Sequence, residues 1–169
     1  TSRISGATEA ETPAVAALTS SAQKGTLCFI NIDLSSKTVL ITGALGAIAE
    51  HIVHRLTAAG ATLVLTDVMT VSEALPILNS WNYDPAQCVY YQMDMTDEST
   101  VASTVQHVMT KYPTLDTVLG HAGGCGLHPF LETPQTEFDR IFKFNFLAQT
   151  YLARAVFTQW CASHTPGHM

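Results

Sequence analysis

Charge is scarce in this chain. Asp, Glu, Lys and Arg make up 13% of its 169 residues, against 47% hydrophobic side chains. That is low for an independent soluble surface. It fits a fragment whose apolar faces await further strands and helices, or a subunit with a sizeable oligomeric interface. Basic runs are missing, and 8 Lys and Arg stand against 14 Asp and Glu for a net charge of −6. A polyanion finds no electrostatic footprint in such a sequence, so no nucleic-acid partner is expected. No apolar run approaches the roughly 20 residues of a membrane span, and no basic stretch followed by an apolar core opens the sequence, so neither a membrane nor a secretory route is expected. The four cysteines, Cys28, Cys88, Cys125 and Cys161, never form a Cys-x-x-Cys pair. Structural zinc is therefore not expected, and a reducing, cytoplasmic compartment is. His51 with His54, and His164 with His168, lack a third ligand at metal-site spacing and read as solvated, so no metal is expected.

What the chain does contain is a strand–turn–helix–strand–acid series beginning at Lys37-Thr-Val-Leu-Ile-Thr-Gly-Ala-Leu-Gly-Ala-Ile-Ala49. Val39, Leu40 and Ile41 form the short continuous apolar run of a strand buried on both faces, and Gly43 and Gly46 then open a helix. Gly43 allows the tight turn and Gly46 lets backbone approach a pyrophosphate, whose charge the helix N-terminus favours. Ala49 takes the place where many nucleotide folds carry a third Gly. Ile48, Ile52, Leu56 and Ala59 are expected on the sheet-facing side of that helix, which stops at Gly60. A second strand, Thr62-Leu-Val-Leu-Thr66, delivers Asp67, which can accept both ribose hydroxyls of the adenosine half of NAD. A 2′-phosphate there would be repelled, so NAD rather than NADP is the expected cofactor.

These residues resemble the short-chain dehydrogenase/reductase family, and so do three later motifs. Thr42 to Ala49 is similar to that family's Thr-Gly cofactor turn, with a Gly-x-x-Gly-x-x-Ala spacing nearer its extended or atypical branches. Asp94-Met-Thr-Asp97 resembles the acidic pair after the third strand, whose first Asp contacts adenine. Gly120-His-Ala-Gly123 resembles the family's Asn-Asn-Ala-Gly, with His121 for the second Asn, and Asn145 resembles the Asn of the long central helix, which supports a proton-relay water. The resemblance implies cofactor contacts from Gly43, Leu45, Gly46, Ile48, Asp67, Asp94, Met95, His121, Ala122 and Gly123, and a catalytic role for Asn145. It also implies hydride exchange between NAD and a small-molecule alcohol or carbonyl.

Family catalysis further uses a Ser and a Tyr-x-x-x-Lys, and neither Tyr83, Tyr90, Tyr91, Tyr112 nor Tyr151 has Lys four positions on. The tail from Ala162 resembles the loop into the fifth strand. The chain is therefore read as the N-terminal, cofactor-binding part of a longer enzyme, inactive by itself. The alternative is a non-catalytic nucleotide-binding or scaffold subunit.

A flexible extension is expected over residues 1–30 and a Rossmann-like α/β domain over 31–169. Strands are expected near 38–42, 62–66, 88–92 and 116–120, in a doubly wound parallel sheet of order 3-2-1-4. Helices are expected near 46–59, 71–80, 97–111, 134–142 and 145–161, with Thr96 as N-cap before Asp97 and Glu98 in the third and Thr133 as N-cap before Pro134 in the fourth. The 145–161 helix is apolar on most sides and serves core packing or a homo-oligomeric contact, the latter being its use in the resembled family. Asn145, set among phenylalanines, needs its hydrogen bonds met and suggests a specific internal role, structural in holding a helix kink as readily as catalytic. His121 reads either as lining the cofactor crevice or as a packed loop side chain. A Cys125 nucleophile assisted by His128 lacks an orienting acid and is not favoured.

Overall fold

The computed structural model describes residues 32–169, so the expected extension over 1–30 lies outside the described residues. β1 spans Thr38–Thr42, α1 Ala47–Ala58, β2 Thr62–Asp67, α2 Val71–Ser80, β3 Cys88–Gln92, α3 Glu98–Lys111 and β4 Leu115–Leu119. A 3-10 turn at Phe130–Glu132 leads to α4 (Gln135–Phe142), a π-helical turn (Lys143–Leu147) and α5 (Ala148–Ser163). The strands form one parallel sheet in the order β3-β2-β1-β4, as expected for a doubly wound fold.

Alternation along the central strands divides the core into two layers. Leu40 and Val64 face α3 and α5, whose Val101, Val105 and Val108, and Ala148, Leu152, Val156 and Trp160, recur at helical spacing. Val39, Ile41, Leu63 and Leu65 face the opposite layer, with Val53 of α1 and Leu78 of α2. Every residue of β1 is buried, which is why its run is continuously apolar between two threonines. Trp160 fills the base of its layer and donates its indole N–H to the carbonyl of Leu115 at 2.9 Å, so burying it leaves no polar atom unpaired.

At the outer edge of β4, His168 N–H donates to Asp116 O (2.8 Å) and His168 O accepts from Val118 N–H (2.9 Å). This isolated parallel bridge lies in the tail read from the sequence as the loop into a fifth strand.

Several local expectations are corrected. On α1 the buried residues are Ala49 and Val53, while Ile48 is 67% exposed, because the glycine turn delivers the helix with Ala49 against the sheet. α3 is capped by Asp97 rather than by Thr96, which bonds back to the Asp94 carboxylate through both N–H and Oγ1 at 2.8 Å. Pro134 rather than Thr133 occupies the cap position of α4, and the Thr133 hydroxyl donates to Pro129 O instead. α5 begins at Ala148 and not at residue 145, since the π turn intervenes.

Asp97 accepts from Ser99 N–H (2.9 Å), Ser99 Oγ (2.7 Å), Thr100 N–H (3.3 Å) and Thr100 Oγ1 (3.0 Å). The Ser99 and Thr100 side-chain bonds, then the backbone N–H groups, hold its carboxyl down at about 2 from an ordinary 3.8. A depressed carboxyl contributes stability that is fully present above its unfolded value and lost as pH falls through the folded one. Asp97→Asn is therefore expected to flatten the acid limb of the melting profile between about pH 4 and pH 2. Melting temperatures across that window check it, and an unchanged acid limb would remove Asp97 from the explanation.

Candidate functional site

The carboxyl ends of the four strands open onto one cavity of about 560 Å³. In a doubly wound sheet this is the crevice where ligands sit, because the chain leaves β1 and β4 in opposite directions there. Of the residues singled out from sequence, Gly43, Asp67, Asp94, Met95, His121, Ala122 and Gly123 line it. Leu45, Gly46, Ile48 and Asn145 are not in its wall. Leu45 and Gly46 lie in the turn beside Gly43, and Ile48 projects outward from the first turn of α1.

The β1–α1 turn depends on one left-handed residue. Gly43 has φ +62°, and a Cβ there would lie 2.7 Å from Ala122 Cα, so backbone meets backbone at that point. Thr42 Oγ1 accepts from Ala122 N–H at 3.1 Å and fastens the same two segments. Gly46 is different: its backbone is ordinary, and a Cβ would find only Gly43 O at 3.5 Å and His121 Cε1 at 3.8 Å. No side chain caps α1, so its first N–H groups have no side-chain acceptor at the helix start.

Asp67 ends β2 with its carboxylate already oriented. Oδ1 accepts from Val68 N–H at 2.8 Å and Oδ2 from Leu45 N–H at 3.1 Å. Each carboxylate oxygen has a second lone-pair site, so two further donors can be accepted. Val68 and Met69 beyond it are exposed and uncharged.

His121 is half-buried against the turn, with Nδ1 3.4 Å from Gly43 O, which places it both in the crevice wall and against the loop. Asn145 does not hold the π turn in which it sits. Its Oδ1 accepts from Gly124 N–H (2.8 Å) and its Nδ2 donates to Gly124 O (2.7 Å), so one amide grips one residue of the β4 loop from both sides. The expectation of an internal position is corrected: Asn145 is exposed, as are Phe142 and Phe146 beside it. Cys125 and His128 are exposed on the same loop. No cluster of three metal-ligating side chains occurs among the described residues.

Arg140 and Lys143 also line the cavity and were not singled out from sequence. They come from a helix far along the chain, and nothing in their spacing marks the side that turns inward. Arg140 is held by Glu137 through Nε–Oε2 and Nη2–Oε1 bonds, both 2.7 Å, and the guanidinium keeps the Glu137 carboxyl below its ordinary range. Gln149, likewise unforeseen, donates to Ala122 O at 2.6 Å and secures the loop from α5.

The family pattern described as short chain dehydrogenase matches residues 37–168. Among curated relatives, the chain is 28% identical over 134 residues to diacetyl reductase [(S)-acetoin forming] of Staphylococcus epidermidis, covering 78% of this chain and 51% of that one. Among solved structures, an NAD+-bound xylitol dehydrogenase is 25% identical, with a TM-score of 0.68 over 79% of this chain and 51% of its own. An NADPH-bound variant of ElxO shares the fold at 20% identity, with a TM-score of 0.71 over 78% of this chain and 53% of its own. The chain thus spans about half the length of the curated relatives it matches.

Proposed function

The chain belongs to the short chain dehydrogenase family, and from that premise we propose that the protein is an NAD(H)-dependent oxidoreductase interconverting secondary alcohols and ketones, with this chain holding the cofactor. The observation that carries the cofactor reading is the Asp67 carboxylate, aimed from the end of β2 and tied to the glycine turn by Leu45 N–H. Its two remaining acceptor sites suit the two hydroxyls of an adenosine ribose. A 2′-phosphate brings no donor and a like charge, and no cation flanks Asp67 at Val68 or Met69 to offset it.

The residues present fit NAD. Gly46 leaves room where a pyrophosphate would approach, Gly43 lets the turn close against Ala122 beside it, and the uncapped start of α1 supplies N–H groups and a favourable dipole. Asp94 and Met95 would flank the adenine, and His121, Ala122 and Gly123 would form the wall toward the nicotinamide. When bound, NAD supplies the hydride acceptor. Asn145, by gripping Gly124, would set the loop that passes above the reacting end and hold a water in a proton path. The proton donor and acceptor themselves are proposed to be a Ser and a Tyr-x-x-x-Lys outside these 169 residues.

Further parts of the proposal are a cytoplasmic enzyme, in keeping with the free thiols of Cys88, Cys125 and Cys161, and a homo-oligomer formed through residues 145–161. Phe146 and Phe157 are half-exposed on that segment and offer apolar surface for the contact.

The test is hydride transfer by the natural protein. With NAD and a panel of secondary alcohols, absorbance of reduced nicotinamide is expected to rise at turnover rates. Tight NAD binding without turnover on any alcohol or ketone would favour the scaffold reading instead.

A further inference from the structure

The segment that carries Asp67 out of the sheet is pinned by the edge strand β3 at three successive carbonyls. Asp67 O accepts from Met93 N–H at 2.7 Å. Val68 O accepts from Gln92 Nε2 at 3.0 Å, and Met69 O accepts from the Tyr90 hydroxyl at 2.6 Å. The hydroxyl also lies 3.2 Å from Asp67 O, but it has one proton and the shorter contact takes it. Beyond this point Thr70 caps α2, its N–H and Oγ1 donating to Glu73 Oε2 at 2.9 and 2.7 Å. No residue between Asp67 and the helix is thus left to wander.

Only the first of these bonds is a continuation of the sheet ladder. The other two come from side chains, and they hold an exposed stretch that the core does not: Val68 and Met69 are 58% and 40% exposed. Tyr90 can do this because its ring packs against the Ile41, Leu63 and Leu65 layer while its hydroxyl reaches past the strand end. Burial and the charges of Asp67 and Glu73 push the phenol well above its ordinary range, so it remains a donor throughout the physiological span.

We infer that Tyr90, seconded by Gln92, is a positioning residue for cofactor choice: by fixing the backbone of residues 67–69 it holds the Asp67 carboxylate in the orientation that accepts a ribose diol and opposes a 2′-phosphate. This rests on the proposed role of Asp67 in NAD binding. A carboxylate on a loose segment could turn away from a phosphate and would lose entropy on being ordered when it met a diol, so both halves of the discrimination depend on the clamp.

The natural protein with Tyr90→Phe tests this, since the ring and its packing stay. Calorimetric titration is expected to show NADH bound about fivefold more weakly, the size of one hydrogen bond's net contribution, with NADPH unchanged or tighter. The KM for NAD should rise in step while kcat stays within about twofold, and the melting temperature should be little altered. Equal weakening of both nucleotides, or no change in either, would overturn the inference. If Tyr90→Phe fails to fold, Gln92→Met, which removes the donor to Val68 O from an exposed position, is held to the same two outcomes. Asp67→Asn run in parallel separates the claims. NADH preference lost there but kept in Tyr90→Phe overturns the positioning role and leaves the ribose reading standing, whereas an Asp67→Asn without effect overturns both.

Discussion

Gly43→Ala is expected to destabilise the natural protein by about 3 kcal/mol and to lower its melting temperature by roughly 10 °C. Two costs combine. An L-residue held at φ +62° loses about 1–2 kcal/mol against its ordinary conformations. The new methyl would also meet Ala122 Cα at 2.7 Å and Ala122 N at 3.1 Å, a contact of backbone against backbone that no rotamer change relieves, and overpacking of that kind costs about 1–3 kcal/mol. The neighbouring Gly46→Ala supplies the contrast, since its φ of −72° suits any residue and its nearest contact is 3.5 Å. It should fold with almost unchanged stability. Enlarging the same position further, in Gly46→Val, should cost nucleotide affinity by about 2 kcal/mol without unfolding the chain. Thermal melts and NADH titration of the three variants distinguish the roles, and a Gly43→Ala protein as stable as the parent would refute the close approach of β1 and the β4 loop.

Those two glycines also show how far the sequence alone could be read. Strand positions came within one residue because continuous apolar runs and punctuating glycines are local signals, and right-handed crossovers leave few orders for four parallel strands. The phase of α1 did not follow in full. Ile48 belongs to the apolar pattern, but the turn at Gly43 sets the angle at which the helix starts, and it is Ala49, small enough to lie against the sheet, that goes inward. Cap positions slipped by one because Thr96 and Asp97 are both good caps, and which one acts depends on the Asp94 carboxylate taking Thr96 for itself.

For the site, residues read from the strand ends were legible because βα loops place them there whatever the rest of the chain does. Arg140, Lys143 and Gln149 were not, since a helix contributes to a distant crevice only through its docking. Tyr90 and Gln92 carry no local mark either: an aromatic residue in a strand reads as core, and a glutamine at its end as surface. Asn145 stands out in the sequence as an amide set among phenylalanines; it is exposed instead, and its partner is the peptide of Gly124, 21 residues earlier.

The second large effect concerns the charge at the end of β2. Asp67→Ser together with Val68→Arg should move the preference of the natural protein from NAD toward NADP by about a hundredfold. The substitution removes the acceptor for the ribose diol, about tenfold, and places a guanidinium where a 2′-phosphate would lie, worth about another tenfold as a charge-assisted hydrogen bond. Val68 is 58% exposed, so an arginine there has room to extend without disturbing the core. Because Leu45 N–H donates to Asp67 Oδ2 at 3.1 Å in the parent, the shorter serine side chain would have to satisfy the turn in its place, and a small loss of stability should accompany the switch. Unaltered cofactor preference in a folded double variant would mean that Asp67 serves the turn alone. The baseline for that comparison is also the most direct measurement of all: calorimetric titration of the unmodified natural protein with NADH and with NADPH at one ionic strength. NADH should bind at least about tenfold more tightly, and NADPH binding as well as or better than NADH would contradict the assignment of Asp67 to the ribose.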